Sequence, residues 1–313
     1  MPLRFTLRQL EYFVAVGEHG SIAQASARLN ISSPSISAAI AQLEAEFGLP
    51  LFIRRHAHGL ALTQGGVRFL EHARDLLARA GGLTDLANDI TGSVRGPLNV
   101  GCLVTFAQIV LPRLRRSFVE RHPSVEFRQD EHDQSELFEA LRMARLDVAL
   151  TYDLNIPGDL EFLPLLELPP FVLFDPAHPL AAAASVTPAD LVAHPMVLLD
   201  LPMSADYFLS FFRNGPQPRI AERTRDVAVA RSLVASGFGY SVVNILPLTD
   251  VAPDGQKLRF VPLVGPVRPL SLGLLLAEKA RSTCTIRAFV EHARAELGES
   301  GGVGPSVVSP RRA

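Results

Sequence analysis

Two helix signals separated by only Asn30, Ile31 and Ser32 constrain this chain more than any other feature. A turn that short forces the two helices to cross as a helix-turn-helix, whose second member is offered to a DNA major groove. The flanking residues agree. Thr6 with Gln9, and Ser21 with Gln24, have capping-box spacing, in which a hydroxyl satisfies a first-turn amide and the glutamine reaches back to the cap. Leu7, Leu10 and Val14, then Ile22, Ala25 and Leu29, recur with helical spacing and predict a small core. Ser33 followed by Pro34 predicts a cap and a first-turn proline, so a third helix begins there. The run from Arg54 through Arg55, His56, Ala57 and His58 to Gly59 reads as a wing.

The motifs in order are Leu7-Arg8-Gln9-Leu10 with Phe13, Ser21 with Ala25 and Ala27, and Ser33-Pro34-Ser35-Ile36-Ser37. They continue as Leu43-Glu44, Gly48, Leu51-Phe52-x-Arg54, and Leu62-Thr63 with Gly66. Together they resemble the amino-terminal domain of the LysR-type transcriptional regulators, and the layout of that family fits the chain to about residue 298. Ser33 stands where the family often has glutamine, and Ala38 where it often has arginine. The resemblance implies double-stranded promoter DNA and a small-molecule effector as partners, and a homodimer assembling to a homotetramer. Ser33, Ser35, Ser37 and Ala38 are expected to face bases, and Arg54, Arg55 and His58 phosphates or the minor groove; the serines also read as solvated helix surface. Residues 1–64 hold five Arg against four Glu. Phosphate neutralisation by one such domain is weak, so binding is expected to depend on oligomerisation.

Beyond a winged domain at 1–64, the positions Phe69, Ala73, Leu76, Ala80, Leu83, Ala87 and Ile90 step by four and three, the seam of a coiled coil. A linker helix over 65–92 follows, interrupted by Gly81-Gly82. Residues 97–297 then alternate strand and helix signals, which predicts an α/β fold with mainly parallel strands. The resemblance implies two lobes like the periplasmic binding proteins, 97–164 with 268–297 and 165–267, joined by two crossover strands. Residues 298–313, rich in glycine, serine, proline and valine, read as a disordered tail.

In open α/β sheets a ligand sits beyond the carboxyl ends of the strands, where helix amino termini favour anions. Two strand-to-helix joints qualify, 102–105 and 201–204. The first matches the family's effector loop, which brings in Cys102, Val104 and Thr105. Thr105, Ser204 and Asn244 are expected to hydrogen-bond an anionic or zwitterionic metabolite between apolar walls from Phe106, Tyr152 and Phe174. The two hydroxyls equally suit helix capping. Asp153 and Asp206 read as ammonium acceptors or as solvated carboxylates.

Other chemistries find little support. The 130–133 run Asp-Glu-His-Asp reads as a solvated turn, and no metal site or cofactor is expected. No nucleophile elbow, phosphate loop or dinucleotide fingerprint occurs, so an enzyme is not expected. Cys102 without a nearby companion reads as a buried thiol; the alternative is a redox-responsive regulator. A net charge of −2 argues against an architectural DNA protein. A stand-alone solute-binding module would carry a signal peptide, and the start at Thr6 shows no apolar leader. No apolar run reaches spanning length, and two cysteines suit a reducing compartment, so a cytoplasmic location is expected.

Overall fold

The computed structural model describes residues 4–55, 59–213, 215–277 and 283–298. They separate into two compact units that divide between Ile90 and Thr91. The first opens with α1 (Leu7–His19), α2 (Ile22–Leu29) and α3 (Ser33–Phe47). Thr6 and Gln9 close a full capping box on α1, whereas Ser21 caps α2 through the Gln24 amide alone. Asn30 ends α2 in the left-handed region at φ 54°, which asparagine tolerates better than most residues. Ser32, rather than the expected Ser33, caps α3 by accepting from the Ser35 amide. Pro34 then falls inside the first turn, where amides have no intrahelical acceptor and a missing N–H costs no bond.

Ile36, Ala39, Ile40 and Leu43 bury one face of α3. Strands β1 (Phe52–Arg55) and β2 (Gly59–Leu62) pair antiparallel as the wing. Glu44 fastens that wing to α3, its Oε1 accepting from the amides of Leu51 at 2.7 Å and Phe52 at 3.2 Å. Helix α4 (Gln64–Thr91) starts hard against the Leu51 carbonyl. A Cβ on Gly66 would lie 2.1 Å from that oxygen, so only glycine fits. Phe13 meets Phe52 and Phe69 edge-on, at 5.4 and 5.3 Å between ring centres. Of the expected seam, Phe69 and Ala73 are spent in this core. Leu76, Leu83 and Ile90 are exposed, the last two by 71% and 77%. The helix runs unbroken through Gly81 and Gly82.

The second unit begins with β3 (Gly96–Leu103), α5 (Ala107–Arg121), β4 (Val125–His132), α6 (Gln134–Arg142), β5 (Val148–Tyr152) and β6 (Leu160–Leu168). It continues with β7 (Phe171–Phe174), α7 (Pro188–Leu191), β8 (Pro195–Leu199), α8 (Ser204–Ser210), β9 (Arg219–Thr224) and α9 (Val227–Ala235). The last elements are β10 (Ser241–Val243), β11 (Arg259–Pro262), β12 (Leu270–Ala277) and α10 (Cys284–Leu297). One sheet has the order β4-β3-β5-β12-β6. The other joins β10-β7-β11 to β8-β9 through a bridge between Met196 and Tyr240. The strands are mixed rather than mainly parallel: β3 is parallel to β4 and β5, and β8 to β9. In contrast, β12 runs antiparallel to both β5 and β6, because the chain returns from the second half through β12 and inserts it between them.

The 130–133 run is not a turn. Asp130 to His132 finish β4, and Asp133 caps α6 by accepting from the amides of Ser135 and Glu136. No cluster of three or more potential metal ligands occurs among the described residues. None of the described helices is long and apolar enough to cross a membrane. The tail beyond Gly298 lies outside the described residues.

Candidate effector and nucleic-acid sites

In the first unit, the solvent face of α3 carries Ser35, Ser37 and Ala38, while Ser33 is half-buried. The Ser35 hydroxyl already pairs with Ser32 at 2.8 Å, which leaves Ser37 and Ala38 as the unencumbered positions of the four. Gln42, one turn further along this helix, accepts from Gln9 at 2.7 Å. Arg54 and Arg55 belong to β1, but their side chains, and all of His58, lie outside the described residues.

In the second unit, the carboxyl ends of β3, β5 and β8 converge on a partly enclosed cavity of about 30 Å³. Thr105, Ile109 and Tyr152 reach it from the first half, and Ser204, Tyr207, Phe208, Arg231 and Asn244 from the second. Of the expected residues, Thr105, Tyr152, Ser204 and Asn244 therefore meet at one place. Neither hydroxyl caps a helix: α5 is capped by Phe106 without a side-chain bond, and Ser204 is the first residue of α8. Met203 delivers Ser204 from a backbone φ of 65°, a costly conformation for a residue with a Cβ.

Asn244 has a different role from the one expected. Its amide nitrogen donates to the Leu168 carbonyl at 3.0 Å and to the Tyr207 oxygen at 2.8 Å. The Tyr207 hydroxyl in turn donates to the Arg268 carbonyl at 2.7 Å. Leu168 ends β6 and Arg268 precedes β12, so Asn244 and Tyr207 brace the two strands that cross between halves. With both N–H groups committed, only the Asn244 oxygen remains, and an anion would be repelled there. Burial pushes the Tyr152 and Tyr207 phenols well up, so both stay neutral.

Four of the expected effector residues, Phe106, Phe174, Cys102 and Val104, do not line the cavity. Phe106 is fully buried behind Tyr152, edge-on at 5.0 Å. Phe174 points away because adjacent residues of a strand face opposite sides; its neighbour Leu173 takes the wall, while Phe174 stacks on His178. Cys102 sits inside the first sheet's core, and burial, helped by the Glu131 carboxylate, raises its thiol well above the ordinary range. A buried thiol held in its protonated form is a poor nucleophile, which weighs against redox sensing. Val104 lines a second, open groove of about 660 Å³ that shares Gln108 and Val227 with the partly enclosed cavity. Asp153 is occupied by Arg268 and the Ser271 amide, Asp206 is exposed on α8, and neither lines this cavity. Arg231 also lines the cavity and is not foreseeable from sequence, because a lone arginine within the apolar helix α9 gives no local sign of facing a cavity.

Comparison with known proteins matches residues 7–67 to the description "Bacterial regulatory helix-turn-helix protein, lysR family" and residues 91–298 to "LysR substrate binding domain". The chain is 30% identical to the transcriptional activator protein LysR of Escherichia coli over 293 residues, 93% of each chain. It is similar to the crystal structure of HinK from Pseudomonas aeruginosa, with a TM-score of 0.63, 36% identity, and 94% and 99% of the two chains covered. It is also similar to full-length CbnR in complex with its target DNA, with a TM-score of 0.65, 27% identity, and 93% and 99% covered.

Proposed function

Because this chain belongs to the LysR family of transcriptional regulators, we propose that the partly enclosed cavity is where its effector binds and that occupancy there alters promoter binding by the winged unit. The observation that carries this reading is the convergence of Thr105, Tyr152, Ser204 and Arg231 from both halves of the second unit on one cavity. Such a site couples ligand to shape, because a molecule wedged between halves favours whichever separation it fits. In the first unit, Ser37 and Ala38, with Ser33 and Ser35 beside them, form the base-facing surface. Arg54, Arg55 and His58 in the wing supply phosphate contacts. The exposed apolar stripe of Leu76, Leu83 and Ile90 at heptad spacing supports pairing of two chains through α4, and from there a tetramer. The work is cytoplasmic, regulatory and without a catalytic step.

The test is a thermal-denaturation screen of the full chain against small acids, amino acids and sugar phosphates, followed by gel-shift titration on its promoter. A ligand at about a hundred times its dissociation constant adds roughly 2.7 kcal/mol, a shift of several degrees for a unit of this size. Thr105→Val should abolish that shift and the change in DNA binding, leaving basal DNA affinity intact. An equal loss of basal affinity would make Thr105 structural and remove the support for an effector cavity.

A further inference from the structure

Two residues that line the cavity carry a buried polar atom without a partner, Asn244 Oδ1 and Arg231 Nε. A buried polar atom left without a hydrogen bond is costly, so these atoms mark groups that a ligand can satisfy. Asn244 is unambiguous. The Leu168 carbonyl accepts only, which fixes the amide orientation and leaves Oδ1 as a pure acceptor. Arg231 is equally defined. Its guanidinium reaches only backbone carbonyls, Val251 at 2.6 Å and Thr249 at 3.5 Å, and it forms no salt bridge among the described residues. Burial lowers its proton affinity, consistent with a cation that no carboxylate offsets. Thr105 can donate or accept, and the Tyr152 phenol is close enough to feel its hydroxyl.

The charge inventory narrows the ligand further. Arg231 is the one charged residue among the described lining, and Ile109, Leu173, Phe208, Val243, Phe260 and Leu270 make most of the remainder apolar. A dianion would exceed that single positive charge. A zwitterion would bring an ammonium to a wall that offers no carboxylate. A carboxylate, unlike a neutral ligand, would offset the one positive charge on the lining.

We propose that the effector is a small monocarboxylic acid with an apolar body and one uncharged O–H or N–H group. Its carboxylate pairs with Arg231 and Thr105, and its donor group with Asn244 Oδ1. The assignment rests on the cavity being the effector site. Arginine suits the first contact because Nε and a terminal nitrogen together match the two oxygens of a carboxylate.

The experiment uses the full chain with 4-hydroxybenzoate, 4-hydroxyphenylacetate and 3-(4-hydroxyphenyl)propanoate, three spacings between acid and hydroxyl. Their methyl ethers, their primary amides and the cation tyramine are the controls, read by thermal shift and calorimetry. At least one hydroxy acid should raise the midpoint by several degrees, with its ether and its amide each bound at least about tenfold more weakly. Arg231→Gln should erase the difference between acid and amide while keeping the ether penalty. Ile109→Trp, which fills the cavity, should abolish all binding; should that variant not fold, Val243→Phe serves. No shift from any of the three acids overturns the proposal, as does an ether, amide or tyramine that matches its acid. Binding that survives the filled cavity refutes the cavity as effector site. Binding lost there but indifferent to Arg231→Gln keeps the site and refutes this ligand class.

Discussion

A single amide shows how much one residue's bonding can change a functional reading. Asn244 follows a strand at the ligand edge, and its sequence position suggests a contact to an anion. Its hydrogen bonds to Leu168 and Tyr207 turn it into a brace for the crossing strands, with only its acceptor left unpaired. Nothing in the local sequence announces that partner, since Leu168 lies 76 residues away. His292 on α10 is the residue-scale feature with a consequence for pH. It is 2% exposed, bonded to Ser117 at 2.8 Å, and held below the ordinary histidine range by burial and by the Arg121 guanidinium. His178 is lowered too, by burial and by the neighbouring His194. Both bind a proton less readily in the fold than in the unfolded chain, where they protonate near pH 6.5. The unfolded state then binds more protons, so their contribution is complete above about pH 6.5 and is lost as pH falls toward their native values. Chemical denaturation of the full chain should therefore show the transition of the second unit moving to lower urea between pH 7.5 and 5.5. His292→Gln should shrink that movement; a midpoint that is the same at both pH values would contradict it.

At the scale of elements, legibility followed burial. The helix-turn-helix was readable because its caps, its three-residue turn and its apolar spacing are all local. Strand β9 was not, because Arg219 to Thr224 forms a solvated edge with no buried residue. Strand β6 was hidden by Pro164, which ordinarily argues against a strand. It is tolerated because β6 is also an edge, and its partner β12 breaks register between Leu272 and Gly273, opposite that proline. Gly273 is required there, since a Cβ would lie 2.4 Å from the Leu163 carbonyl. The Gly81-Gly82 pair in α4 presents the opposite case. Added Cβ atoms would meet nothing within 4 Å, so no packing reason demands glycine at either position. Each costs about 1 kcal/mol of helix stability relative to alanine. Gly81→Ala with Gly82→Ala should raise the stability of the first unit by up to about 2 kcal/mol. If the pair serves as a pliable point, the same variant should bind promoter DNA with an altered response to ligand. An unchanged response alongside the gain in stability would reduce the glycines to a tolerated weakness.

For the second unit as a whole, the controlling fact is the size of its cavity. A volume of about 30 Å³ accommodates a water molecule or two, far less than a metabolite. Binding therefore requires the two halves to part, and the affinity measured for any effector contains the cost of that opening. One identifiable contribution to the cost is the ion pair between Arg225, which precedes α9, and Asp133 on α6, at 3.2 Å. With the arginine side chain 69% exposed, such a pair is worth about 0–1 kcal/mol. That is a suitable size for a latch, because a ligand of modest affinity can overcome it. Asp133 also caps α6, so removing it would damage the helix, whereas Arg225 makes no other side-chain hydrogen bond among the described residues. When the competent state is a small fraction of the population, apparent affinity rises in proportion to that fraction. Arg225→Ala should therefore tighten effector binding by up to about fivefold, since 1 kcal/mol corresponds to that factor. The gain should diminish at high salt, which weakens the exposed pair in the parent chain as well. Calorimetry on both chains at two ionic strengths checks this. Weaker binding by the variant would mean that Arg225 contacts the ligand or its entry path, and that the cost of opening resides in the Asn244 and Tyr207 brace instead.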